Sequence, residues 1–196
     1  MNFFKMIALL SILPLLAFQN KDWDLYTYSQ PEFSIAFPHS PTKKRTIEPL
    51  GDGYLINFTV GCSSFGKEGI DSNTLYMATC LTHPNEILTS SNPEELEAAY
   101  ERMIYNAVEN IDGKLLYSKE VKHGDIVGRQ AKILFSQKSL GGKNVSRVRY
   151  YIVQNKVYVI QTITLPQNDN NSYIDKFMDS FEFIGEEKVN KTPQKL

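Results

Sequence analysis

The chain is poor in the residues that most often do chemistry. Histidine occurs three times and cysteine twice in 196 residues. His39, His83 and His123 each stand beside Pro or Gly, and no two of them have the i, i+2 or i, i+4 spacing that focuses a metal site. They read as surface turn residues. Without a Cys-x-x-Cys or Cys/His spacing there is no zinc motif either, and no cofactor is implied. No G-x-S-x-G elbow is present, so a hydrolase signature is absent. A formal net charge of -1 gives no electrostatic reason to expect nucleic acid or an anionic membrane surface as partner. No internal repeat is visible.

Long apolar runs are also scarce. The one candidate covers residues 6–18, "MIALLSILPLLAF", behind the short, Lys5-bearing "MNFFK". It is too short to cross a hydrocarbon core of about 30 Å as a helix, and Pro14 interrupts it. It has the length of a signal-peptide apolar region, and the polar break at "QNKDWD" is abrupt. Residues 1–19 therefore read as a leader for export, secreted or periplasmic. No Cys follows that would take a lipid anchor, and no integral membrane span is expected once the leader is gone. Residues 20–185 read as a single domain, long enough for one core, and the polar residues 186–196 as a disordered tail.

Export changes how the cysteines read. Cys62 ends one strand-like run, "YLINFTVGC", and Cys80 lies near the end of the next, "TLYMATC". In an oxidising compartment a Cys62–Cys80 bridge across a loop of about 17 residues is expected to stabilise by roughly 3 kcal/mol. The alternative is two buried thiols that pack as small hydrophobes.

What the chain does have is alternation. "WDLYTYS", "FSIAFP", "GDGYLINFTVGC" and "TLYMATCLTH" read as strands by their period of two and their β-branched and aromatic content, and "TKKRTIE" extends the pairing. "SSNPEELEAAYERMIYNAVENIDG" reads as a helix. Asn92 is its N-cap, Pro93 its first residue, Glu95 completes a capping-box pattern and Gly113 stops it. Leu96, Ala99, Tyr100, Met103, Ile104, Ala107, Val108 and Ile111 form one apolar stripe. Four more strands follow, "KLLYSKEVKHG", "DIVGRQAKILFSQ", "NVSRVRYYIVQ" and "KVYVIQTITLP". A short helix, "NNSYIDKFMDSF", then leads into "FEFI". Strands in runs with helices inserted twice predict an α+β fold. Its antiparallel sheet would be covered by the long amphipathic helix and the short C-terminal one.

Two stretches come close to a site. "GCSSFGKEG" places Gly61, Gly66 and Lys67 as in a phosphate loop, but Glu68 stands where a Ser or Thr must hold magnesium, so nucleotide binding is rejected. "RVRYY" puts Arg147, Arg149 and Tyr151 on one strand face. That face is either an anion patch or the exposed side of an edge or half-covered strand whose other face, Val148, Tyr150 and Ile152, is core.

The order of these pieces resembles a known family. "DWDLYTYS" is followed at once by "PEFSIAFPHSP", then the capped helix, "GRQAKILF", the hairpin "RVRYYIVQNKVYVIQTITLP" and a closing "FMDSFEFI". This resembles small exported bacterial proteins of the PsbP-like type, over residues 23–184. The fold is one shared with the PsbP subunit of photosystem II and a small Ran-binding nuclear transport factor. The resemblance implies a binding or assembly module with no shared catalytic residue, and no photosystem binding is carried over. The expectation is a non-enzymatic envelope domain with a protein partner. The alternative is a carrier that encloses a small apolar ligand or lipid between helix and sheet.

Overall fold

A computed structural model of the protein describes residues 23–63, 73–85 and 92–184. The leader, the polar tail and the loop of the phosphate-like motif beyond Ser63 lie outside the described residues. In chain order the elements are β1 (Asp24–Tyr28), β2 (Phe33–Phe37), β3 (Thr42–Leu50), β4 (Gly53–Ser63), β5 (Asn73–Thr82), α1 (Pro93–Asn110), β6 (Lys114–His123), β7 (Ile126–Gln137), β8 (Gly142–Val153), β9 (Lys156–Thr164), α2 (Ser172–Asp179) and β10 (Glu182–Phe183). They form two antiparallel sheets, one of order β3-β4-β5-β9-β8-β7-β6 and a small one of order β1-β2-β10.

The main core lies between the two sheets, and α2 closes it. Phe33, Ile35 and Phe37 of β2 meet Val60, Tyr76, Ala78, Cys80, Tyr151, Tyr158 and Ile160 of the large sheet, together with Ile174, Phe177, Met178 and Phe181. The prolines around β2 follow from this position. β2 is the middle strand of its sheet, not an edge. Pro31 and Pro38 lie just outside Phe33–Phe37, where a missing N–H removes no rung of the ladder. Ser180 extends that ladder beyond the two-residue β10, because its Oγ accepts from Ala36 N at 3.0 Å and donates to the Phe177 carbonyl at 2.8 Å.

The long helix does not cover the main core, which corrects the expectation from its stripe. α1 packs on the other face of the large sheet, where Tyr100 and Ile104 meet Ala131, Val148 and Tyr150. Of the stripe, only those two residues are fully buried. The Tyr100 hydroxyl donates to the Val127 carbonyl at 2.8 Å and accepts from Ile152 N at 3.0 Å. It thereby replaces the rung lost where β7 and β8 part after Gly128 and Tyr151.

Asn92 caps α1 as expected, accepting from Glu94 N at 3.1 Å. At the other end the left-handed residue is Asp112, with φ 48°, not Gly113. The glycine is needed for close packing instead, since a Cβ there would stand 2.7 Å from Ile133 Cγ2.

Candidate functional site

Both faces of β8 are covered, and that decides the arginine question. Val148, Tyr150 and Ile152 lie under α1. Arg147 and Arg149 lie under the chain that runs from a 3-10 turn, Pro166–Asn168, into α2. Arg147 donates to Asp175 Oδ1 at 3.1 Å and to the Asp169 carbonyl at 2.9 Å. Arg149 donates to Gln130 Oε1 at 3.0 Å, the Met178 carbonyl at 3.0 Å and Asp179 Oδ1 at 2.8 Å. Lys132, opposite Arg147 on β7, pairs with Asp169. Three cations thus meet three carboxylates, with no surplus charge to hold an external anion. The patch is an internal clamp that fastens α2 to the sheet, and Asp169 is its least exposed acid.

The cysteines are not bridged. In the β4–β5 register Cys62 faces Tyr76 and Cys80 faces Phe58, an offset of four residues, or about 13 Å along the strand. A disulfide needs Cα atoms within about 7 Å, so the expected bridge is excluded. Both side chains instead belong to the core between the sheets, 6% and 1% exposed.

Burial pushes the Cys80 thiol up to about 11, against smaller downward effects of the Thr82 hydroxyl and Lys156. A thiol so protonated at neutral pH is a poor nucleophile. It also makes stability depend on pH. Above its ordinary value of about 8.5 the unfolded thiol loses its proton while the native one keeps it. The unfolded state then binds fewer protons, and stability falls as pH rises from about 8.5 towards 11. By pH 10 this group is expected to have removed ~2 kcal/mol. Tyr100 and Tyr150, both raised to about 12 by burial, and Tyr151 and Tyr158, raised in the same direction, join the decline as pH nears 10, each removing about 0.4 kcal/mol there. Urea titrations at pH 8 and 10 test this, because the loss over that interval should be roughly halved in Cys80→Ala. An undiminished loss in the variant would place its origin elsewhere.

A cleft of about 90 Å³ opens above this region, lined by Glu32, Val153, Gln154, Lys156, Tyr158, Phe183 and Ile184. It is well below the roughly 300 Å³ at which small-molecule pockets begin. Glu32, in the left-handed region at φ 59°, pairs across it with Lys156. The cleft is not between helix and sheet, where the carrier reading places its ligand. There Tyr100, Ile104, Ala131, Val148 and Tyr150 pack together.

The histidines stay apart. His39 is exposed and His83 closes β5, its N–H donating to the Asn155 carbonyl at 2.8 Å. His123 departs from a plain surface residue. Its Nε2 lies 3.0 Å from Glu182 Oε2, and its ring stands edge-on to Tyr151, Phe181 and Phe183. Among the described residues no three His, Cys, Asp or Glu side chains converge as a metal site would need. Among them too, no helix is long and apolar enough to cross a membrane.

The surface feature that sequence reading missed is the β3–β4 hairpin. All of β3 is exposed except Ile47's immediate neighbour Thr46. By register Lys43, Arg45, Ile47 and Pro49 share one face with Val60, Phe58, Ile56 and Tyr54, and Lys44, Thr46, Glu48 and Leu50 share the other. Ile47 is 53% exposed, Tyr54 61% and Leu50 41%, so apolar side chains sit in water on both faces of its outer end. The signal was present in "TKKRTIEPLGDGYLI", where Ile47, Pro49, Leu50, Tyr54, Leu55 and Ile56 gather on either side of the Gly51–Gly53 turn.

No family model matches this chain, and no curated protein matches it. Among solved structures it is similar to the cyanobacterial PsbP, CyanoP, of Synechocystis sp. PCC 6803. The identity is 10%, over 82% of this chain and 91% of that one, with a TM-score of 0.47. It is also similar to a protein of Bacteroides thetaiotaomicron VPI-5482, at 13% identity over 79% of this chain and 46% of that one, with a TM-score of 0.43. The first is of the type that the strand and helix motifs resemble. At these identities neither neighbour is a guide to what this chain binds or does.

Proposed function

We propose that this chain is a non-enzymatic module, exported to the cell envelope, that holds a protein partner on its β3–β4 hairpin. The carrying observation is the exposed pair Ile47 and Tyr54, neighbours on one face at the end of one hairpin, with Leu50 exposed beside its turn on the other face. A grouped apolar patch rimmed by polar residues is costly to leave in water and marks contact surfaces, whereas scattered exposed apolar residues do not. Aromatic residues dominate binding energy at such surfaces. Export is supported by the leader-like residues 1–19.

The other groups with chemical potential support the same reading. The arginines are neutralised by Asp169, Asp175 and Asp179, and the Cys80 thiol is buried and protonated. Each is occupied in holding the fold together.

A photo-reactive residue placed at Tyr54, in cells expressing the chain at native level, is expected to give a discrete adduct. The same residue at Tyr105, 64% exposed on α1, is expected to give none. Ile47→Ser should lower the Tyr54 adduct at least fivefold, with an unchanged unfolding midpoint. Equal labelling at both positions, or an adduct indifferent to Ile47→Ser, would sink the reading.

A further inference from the structure

We infer that the partner of this hairpin is an extended, acidic protein segment that adds a strand to the free edge of β3. The inference rests on the preceding reading of the hairpin as a contact surface and names the chemistry of what binds there. Its first support is the backbone. β3 is the terminal strand of the large sheet, paired over nine positions with β4 and, among the described residues, with nothing on its outer side. Such an edge offers a ladder of N–H and C=O groups that a second chain can complete.

Its second support is charge. Lys43, Lys44 and Arg45 are consecutive and exposed, and none of them forms a salt bridge among the described residues. Of the other cations of this sheet, Lys122, Arg129, Lys132, Arg147, Arg149 and Lys156 pair with carboxylates, and Lys114, Lys119 and Lys143 stand singly, so no other run of three is left unpaired among the described residues. A strand that carries cations on both faces repels a like-charged edge and favours an acidic one directly opposite.

The opposite edge makes the contrast. Among the described residues β6 also has a free outer side, but a register irregularity between Leu115 and Tyr117 breaks its run. Bulges of this kind blunt an edge against pairing. On β3 the register with β4 is unbroken from Thr42 to Leu50.

The pleat then sets the order of residues in the partner. Lys43 and Arg45 lie on one face and Lys44 on the other, followed on the first face by Ile47 and Pro49. A matching strand carries acids opposite 43 to 45 and apolar residues opposite 47 and 49. Pro49 has no N–H, so pairing weakens at that end. An anionic lipid surface would also meet the cations and Tyr54, but it has no use for a nine-residue ladder.

The test uses the full mature chain and three nine-residue probes: a Glu–Val peptide with Glu at the three positions opposite 43 to 45 and Val and Thr elsewhere, a Lys–Val peptide with Lys in place of those Glu, and the Glu–Val peptide with two prolines in place of valines. Vesicles containing phosphatidylglycerol are the fourth probe. The Glu–Val peptide is expected to bind and to slow amide exchange at residues 42–48 at least tenfold. Lys–Val should not bind, and the proline version should bind at least tenfold more weakly. The double variant Lys43→Glu/Arg45→Glu should lose at least tenfold in affinity for Glu–Val.

Binding without protection of the 42–48 amides would overturn the inference, as would equal binding of the Lys–Val probe or binding of vesicles alone. The Tyr54 adduct separates the two readings. If it persists in Lys43→Glu/Arg45→Glu, the hairpin holds a partner by its apolar residues and the acidic strand is wrong. If it is absent from the unmodified chain as well, the contact surface itself is wrong.

Discussion

Phe177→Ala is expected to lower the unfolding free energy by about 3–5 kcal/mol, the cost of emptying a large aromatic site that cannot collapse. Phe177 is 0% exposed and joins three elements at once. Its ring lies 5.4 Å from that of Phe37, 5.0 Å from Tyr76 and 6.5 Å from Trp23. Taking it away unsupports the small sheet, the large sheet and α2 together.

Ile104→Ala, on the longer helix, is expected to cost only about 2 kcal/mol, the low end for such truncations, because its neighbours form a small cluster on a half-covered face. Tyr105→Ala should change stability by less than about 0.5 kcal/mol, as an exposed substitution does. Trp23, the only tryptophan, packs edge-on to Tyr76 at 5.2 Å and stacks on Tyr173 at 6.1 Å. Its fluorescence therefore reports this core during urea unfolding. If Ile104→Ala proves the costlier change, the principal core lies under α1 after all.

That ordering is where sequence reading and structure part. Strand and helix positions were legible because each is written in local pattern: period two in "FSIAF" and "YLINFTV", and Asn92-Pro93 with a three-and-four stripe in α1. The stripe shows that a helix has an apolar side, but it carries no information on which sheet face receives that side. Length alone is a poor guide to what a helix buries, and α2 has only eight residues. Yet Ile174, Phe177 and Met178 are all fully buried, while an α1 of more than twice the length buries two.

The bridge failed for a related reason. Consecutive strands were readable, but register was not, and an offset of four residues separates Cys62 from Cys80. The ion clamp escaped notice because its acids, Asp169, Asp175 and Asp179, come from a segment about 20 to 30 residues beyond the arginines in sequence, across the β8–β9 hairpin. Only the hairpin surface was open to a better reading, since its apolar residues stand close together around one turn.

The clamp carries the second large effect. Asp169→Ala is expected to cost about 3 kcal/mol, near the lower limit for breaking a buried pair. Asp175→Ala or Asp179→Ala should each cost no more than about 1 kcal/mol, as exposed pairs do. The difference comes from solvent access. The Asp169 side chain is 12% exposed, while those of Asp175 and Asp179 are 64% and 65% exposed. Removing Asp169 leaves Lys132, itself 17% exposed, as a largely desolvated cation with no carboxylate beside it. Arg147 keeps Asp175 and the Asp169 backbone carbonyl, so the loss falls chiefly on Lys132.

That reasoning makes the double variant decisive. Asp169→Leu/Lys132→Met removes both charges and fills the space, and replacing a buried pair by apolar side chains is often neutral. It should recover most of the stability lost in Asp169→Ala. Raising the salt concentration should leave the Asp169→Ala cost nearly unchanged, because buried pairs are screened little. If the double variant is no more stable than Asp169→Ala, the pair is worth more than its desolvation and the clamp is a true source of stability. If Asp169→Ala costs less than 1 kcal/mol, α2 is held by Ile174, Phe177 and Met178 alone.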